Sequence, residues 1–164
     1  MTSPISMYRP ALAAVLIFMS ASAVVAQVNV TGALTGHAIG TVQAGILQAA
    51  GSGTGTASHI GQFRYLVQVT VNPAGSSEGV FLLVFSNGDV IYGSVAGQGD
   101  TPPPPPPALA HITEQLTITG GTGRFQGASG TVTFNRLVDT STFPFYDSNS
   151  GTVTGTISTP GSRK

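Results

Sequence analysis

Gln62-Phe63-Arg64-Tyr65-Leu66-Val67-Gln68-Val69-Thr70-Val71 sets Phe63, Tyr65, Val67, Val69 and Val71 on one parity and Arg64, Gln68 and Thr70 on the other. Successive side chains of a strand point to opposite faces, so alternation of this length marks a strand with one face in a core. The pattern recurs downstream. From Ala110 to Thr119, Ile112, Leu116 and Ile118 share a face, with His111, Thr113, Gln115, Thr117 and Thr119 opposite. From Gly130 to Val138, Val132, Phe134 and Val138 form the apolar face. Between Gly79–Phe85 and Val90–Gly97 lies Ser86-Asn87-Gly88-Asp89, whose Asn-Gly suits the type I′ turn of a tight hairpin. Val28–Leu34, Thr41–Leu47 and Gly151–Ser158 complete eight candidate strands, and few stretches carry a helical period. The chain reads as all-β. Gly51-Ser52-Gly53-Thr54-Gly55-Thr56 reads either as a flexible loop or as a glycine-rich strand lying close to another backbone.

Composition narrows the partners. Charged residues are 7% of the 164, against about 25% in ordinary domains, so the surface is polar but mostly uncharged. The first residues carry one positive charge, Arg9, then an apolar run from Ala11 to Met19, then Val24-Val25-Ala26 before Gln27. That is the layout of a cleaved secretory signal peptide over residues 1–26, and the run is too short for a stable membrane anchor. A secreted or periplasmic protein is expected, with one domain over residues 27–164. Without Arg9 the mature chain holds five basic and six acidic residues, which speaks against nucleic acid. Cysteine is absent, so disulfides and thiolate chemistry are excluded. His37, His59 and His111 lack metal-site spacing, and neither a metal nor a cofactor is expected. Pro102–Pro107 is a run of six prolines, an extended segment in a connection that serves as a stiff loop or a docking element.

Two charges fall on apolar faces: Glu114 with Ile112 and Leu116, and Arg136 with Phe134 and Val138. A hairpin centred near Phe125 sets Ile118 opposite Val132, Leu116 opposite Phe134 and Glu114 opposite Arg136. An unpaired buried charge is costly, so the two are expected to pair. The pair is either a structural ion pair or a polar point in a lumen, orienting a ligand or serving acid–base chemistry. Tyr65 and Tyr92 are candidates for adding hydroxyls to that interior, and His59 is a candidate for its mouth. No Gly-x-Ser-x-Gly elbow is present, and Gly120-Gly121-Thr122-Gly123-Arg124 lacks the ending of a phosphate loop.

The segment Thr119-Gly120-Gly121-Thr122-Gly123-Arg124-Phe125-Gln126-Gly127-Ala128-Ser129-Gly130 resembles the Gly-Gly-Thr-Gly-x-Phe-x-x-Ala-x-Gly turn of dirigent proteins and, more loosely, of allene oxide cyclases. With Gly55-Thr56-Ala57-Ser58-His59-Ile60-Gly61-Gln62-Phe63 upstream, it is also similar to secreted bacterial proteins. The resemblance implies a calycin-like, eight-stranded antiparallel β-barrel with a central cavity, and a homo-oligomer. Gly120, Gly121 and Gly123 then form a structural turn, with Phe125 plugging one end of the barrel. Three functions are expected in this order: binding of a small apolar ligand in the lumen, a cyclase or isomerase activity, and a structural or adhesive surface role.

Overall fold

The computed structural model describes residues 26–100 and 109–158; residues 1–25 of the expected signal peptide and the proline run lie outside them. Eight strands follow in order: β1 (Gln27–Gln43), β2 (Ile46–Ala57), β3 (Gly61–Val71), β4 (Ser76–Phe85), β5 (Val90–Gly99), β6 (Leu109–Gly121), β7 (Ser129–Asp139) and β8 (Phe145–Ser158). Each pairs antiparallel with the next, and β8 returns to β1, closing an eight-stranded barrel. Closure leaves no strand edge among these eight, which suits a chain with few charges to guard one.

Parity places the core. On β3, Phe63, Tyr65, Val67 and Val69 are buried while Gln62, Arg64, Leu66 and Gln68 are exposed. The glycine-rich segment is the middle of β2, not a loop. Gly51, Gly53 and Gly55 stand opposite Val67, Tyr65 and Phe63, and a Cβ on Gly53 would lie 2.6 Å from the Tyr65 ring. Every second residue of β2 therefore lacks a side chain where β3 offers a large one. The expected strand Thr41–Leu47 is corrected: the chain reverses inside it, at Ala44 and Gly45, both at positive φ. Alanine seldom takes that conformation, so the turn carries no sequence signal.

The β6–β7 register also differs from expectation. Leu116 faces Val132, Glu114 faces Phe134 and Ile112 faces Arg136, two residues away from the expected pairing. The connection holds a 3-10 turn at Gly123–Phe125, and the β6–β7 ladder closes at Ile118 opposite Gly130, so the hairpin is centred on Arg124 rather than Phe125. A slip of two preserves parity, so the inward faces stand as read.

The two ends of the barrel differ. The β2–β3, β4–β5 and β6–β7 turns gather at one end, which aromatic rings fill: Phe85 and Phe125 have centroids 4.5 Å apart, and Phe63 lies 6.3 Å from Phe85. Ile60 is buried with them. The Arg124 guanidinium caps the plug, 4.5 Å from the Phe125 centroid, and donates to the Ile60 carbonyl. Gly123, at φ +55°, admits the Asp89 carboxylate where a Cβ would stand. Asp89 there accepts a hydrogen bond from the Arg124 backbone N–H at 3.2 Å. The glycine-rich turn is thus the seat of the plug.

Candidate binding site at the open end

Above the plug, Val67, Phe81, Val95, Leu116, Phe134 and Val153 fill the middle of the barrel, none more than 5% exposed. Toward the opposite end several inward positions are small or only half-buried, Ala38 on β1, Ala49 and Gly51 on β2, Val71 on β3, Gly99 on β5 and Ile112 on β6, while Val69, Ala110 and Val138 stay buried. A Cβ on Gly51 would meet nothing nearer than 3.6 Å, and one on Gly99 nothing nearer than 3.8 Å. These are ordinary van der Waals separations, so an added methyl is tolerated at both positions, while Leu47 and Tyr146 lie over Gly40 at the same end.

Below these positions lies a polar floor. Arg136 Nη2 stands 2.9 Å from Glu114 Oε2, and both side chains are under 10% exposed. The pair forms diagonally rather than directly across the ladder, which the slipped register still allows because neighbouring diagonal positions are within reach of long side chains. Glycines make the room. A Cβ on Gly97 would stand 2.6 Å from Ser77 Oγ and 3.0 Å from Glu114 Cγ, and one on Gly151 would stand 3.1 Å from Arg136 Cγ. The Tyr65 hydroxyl occupies the place a Cβ on Gly36 would take. Gly36 pairs with Ser148 on β8, which sets Ser148 beside that hydroxyl.

The floor has unused bonding capacity. The Tyr65 hydroxyl, Glu114 Oε2, Arg136 Nε and Ser148 Oγ are buried without an aligned hydrogen-bond partner. The Glu114–Arg136 contact is thus an ion pair lying off the hydrogen-bond axis. Burial pushes the Tyr65 phenol above its ordinary pKa; the Arg136 guanidinium lowers it by a smaller amount, and the Glu114 carboxylate adds to the rise.

The candidates separate cleanly. Tyr65, Glu114 and Arg136 come together. Tyr92 does not join them: Ile91 takes the inward position, fully buried, and Tyr92 lies on the outer wall, 44% exposed, over Gly120. His59 is exposed in the β2–β3 turn at positive φ, at the plugged end rather than at the mouth, and its neighbour Ile60 points inward instead. Ser148 and Ser77 were not singled out from sequence. Each sits among residues that read as turns, and glycines opposite them, Gly36 and Gly97, are the signal that could have found them.

A concavity of about 730 Å3 lies on the outer wall, where Thr35, Thr54, Thr56, Gln62 and Arg64 line it. Among the described residues no group of three or more His, Asp or Glu side chains could hold a metal ion. No described helix is long and apolar enough to cross a membrane. Comparison with family models, curated proteins and solved structures finds no match to this chain.

Proposed function

We propose that the open end binds one small, mostly apolar molecule, with a polar head seated on the floor. The observation that carries this reading is a set of three buried polar atoms without an aligned partner, the Tyr65 hydroxyl, Arg136 Nε and Ser148 Oγ, beside a Glu114 carboxylate held by its ion pair with Arg136. Each of the three costs about 1–3 kcal/mol when left without a partner, and a bound head group returns part of that. Because Glu114 and Arg136 neutralise one another, the floor favours a neutral head such as a carbonyl or hydroxyl. Arg136 Nε and the Tyr65 and Ser148 hydroxyls donate to it, and Glu114 Oε2 accepts from it. The half-buried rim of Ala49, Gly51, Val71 and Ile112 meets the apolar body. The leader-like N-terminus supports action outside the cytoplasm, as a secreted or periplasmic protein.

A second reading is favoured by the same geometry: a carboxylate, a guanidinium and a phenol side by side can move a proton on a bound carbonyl compound, in keeping with the cyclase-type resemblance. Native mass spectrometry of the protein purified from an exporting host tests both. The expected result is a small-molecule adduct that disappears on denaturation and is missing from the Tyr65→Phe/Ser148→Ala double variant. Absence of any adduct, together with no thermal shift from a series of medium-chain ketones and alcohols, overturns the proposal. A ketone released with altered structure points to turnover; one released unchanged points to binding alone.

A further inference from the structure

We propose that two copies of this chain pair through the outer wall of β3, β4 and β5, about a two-fold axis that sets Arg64 of each copy against Glu78 of the other. The proposal begins with β4. Val80-Phe81-Leu82-Leu83-Val84-Phe85 is apolar without interruption, the pattern of a strand covered on both faces. Its inward side chains Phe81, Leu83 and Phe85 are buried in the barrel, yet the outward Val80 is 57% exposed. The register joins it to like neighbours. Leu66, Leu82 and Tyr92 form one row across three strands, and Val80 lies in the next. Leu66 is 50% exposed and Tyr92 44%. A contiguous apolar wall of this kind, edged by polar side chains, marks an interaction surface.

The charges name the occupant. Arg64 flanks the wall at the plugged end, beside Val84, and Glu78 flanks it at the open end, beside Thr70. Among the described residues the other two arginines each have a carboxylate, Arg124 with Asp89 and Arg136 with Glu114. Among the same residues Arg64 has no carboxylate partner and Glu78 no cation. The two positions are separated by six residues along β4, roughly 20 Å, with the apolar rows between them. An isologous interface repeats one patch on both partners, so a patch positive at one end and negative at the other complements itself. An axis lying in the interface and crossing the strands between the Leu66–Leu82 and Gln68–Val80 rows exchanges the two charges. It forms both ion pairs at once and lays leucine over valine. The closed barrel offers no strand edge there, so the contact is made by side chains alone. It leaves the open end free, so this inference and the ligand proposal stand or fall separately.

Sedimentation equilibrium of the full exported protein across a range of concentrations tests it, with circular dichroism confirming the fold of each variant. The expected result is a dimer in the wild type, a monomer for Val80→Lys, a dissociation constant raised at least about tenfold for Arg64→Glu, and recovery of the dimer in Arg64→Glu/Glu78→Arg. A wild type that stays monomeric, an assembly of three, or a dimer indifferent to Val80→Lys overturns the shared wall. A dimer that ignores Arg64→Glu, or that the double reversal fails to restore, overturns the two-fold pairing.

Discussion

One end of this barrel is closed with rings and the other is floored with unmet polar atoms. At the closed end Phe63, Phe85 and Phe125 pack edge and face under the Arg124 guanidinium, so each ring gains both burial and a favourable aromatic contact. At the open end glycines and alanines take several inward positions, Leu47 and Tyr146 lie over Gly40, and Tyr65, Glu114 and Arg136 end in polar groups whose bonding is incomplete. The difference teaches a division of labour. Stability is concentrated where the chain can fill space, and capacity for chemistry is left where it does not.

That contrast can be broken at its strongest point first. Phe125→Ala, at a site 2% exposed, is expected to cost about 3–5 kcal/mol, whereas Val71→Ala at the half-buried rim is expected to cost about 1 kcal/mol. Equal costs in urea unfolding would erase the distinction between the ends. Next, Arg136→Met strands the Glu114 carboxylate and is expected to cost about 3 kcal/mol, while Glu114→Gln/Arg136→Met recovers most of the loss. A double-mutant cycle by the same unfolding assay measures the recovery, and none would mean that the pair does not balance its own charge.

Two glycines on β2 sharpen the comparison at smaller scale. A Cβ on Gly53 would collide with the Thr35 carbonyl and the Tyr65 ring, so Gly53→Ala is expected to lose about 1–3 kcal/mol. Gly51, two residues nearer the mouth, has room, and Gly51→Ala is expected to gain about 0.4–1 kcal/mol through the unfolded chain. Thermal unfolding of the two variants should shift in opposite directions. The smallest effect is electrostatic. The folded state raises the Tyr65 pKa, so its contribution is complete below the ordinary phenol value of about 10 and is lost as pH rises through the raised one. Ultraviolet titration should show a late phenolate that Tyr65→Phe removes, and an unchanged curve would place solvent against that hydroxyl.

Strands β3 to β7 were legible because their alternation is written in large side chains, as at Phe63, Tyr65 and Val67. Strand β2 was ambiguous for the complementary reason: its inward face is written in missing side chains, and Gly51, Gly53 and Gly55 acquire meaning only opposite Val67, Tyr65 and Phe63. The Glu114–Arg136 pair was readable from parity alone, but its register was not. The 3-10 turn at Gly123 is a local departure that an ideal hairpin ignores. Tyr92 faces outward by plain alternation on β5, where Ile91 and Val95 take the inward positions. His59 was displaced by a turn in left-handed conformation that no glycine announces at that residue. Ser148 is hidden in Asp147-Ser148-Asn149-Ser150, which looks like a loop until β8 is seen to run through it.

Seven of the eight pairings join strands that are neighbours in sequence, and the eighth joins β1 to β8. Hairpins close short loops, but the β1–β8 seam must bring together the two ends of the domain and bears the largest loss of chain entropy. Its ladder runs from Gln27 opposite Ser158 to Ile39 opposite Phe145, as long as that of the β1–β2 hairpin. Order along this chain can thus grow by local zipping, with the ring sealed last at the one joint where proximity in space owes nothing to proximity in sequence.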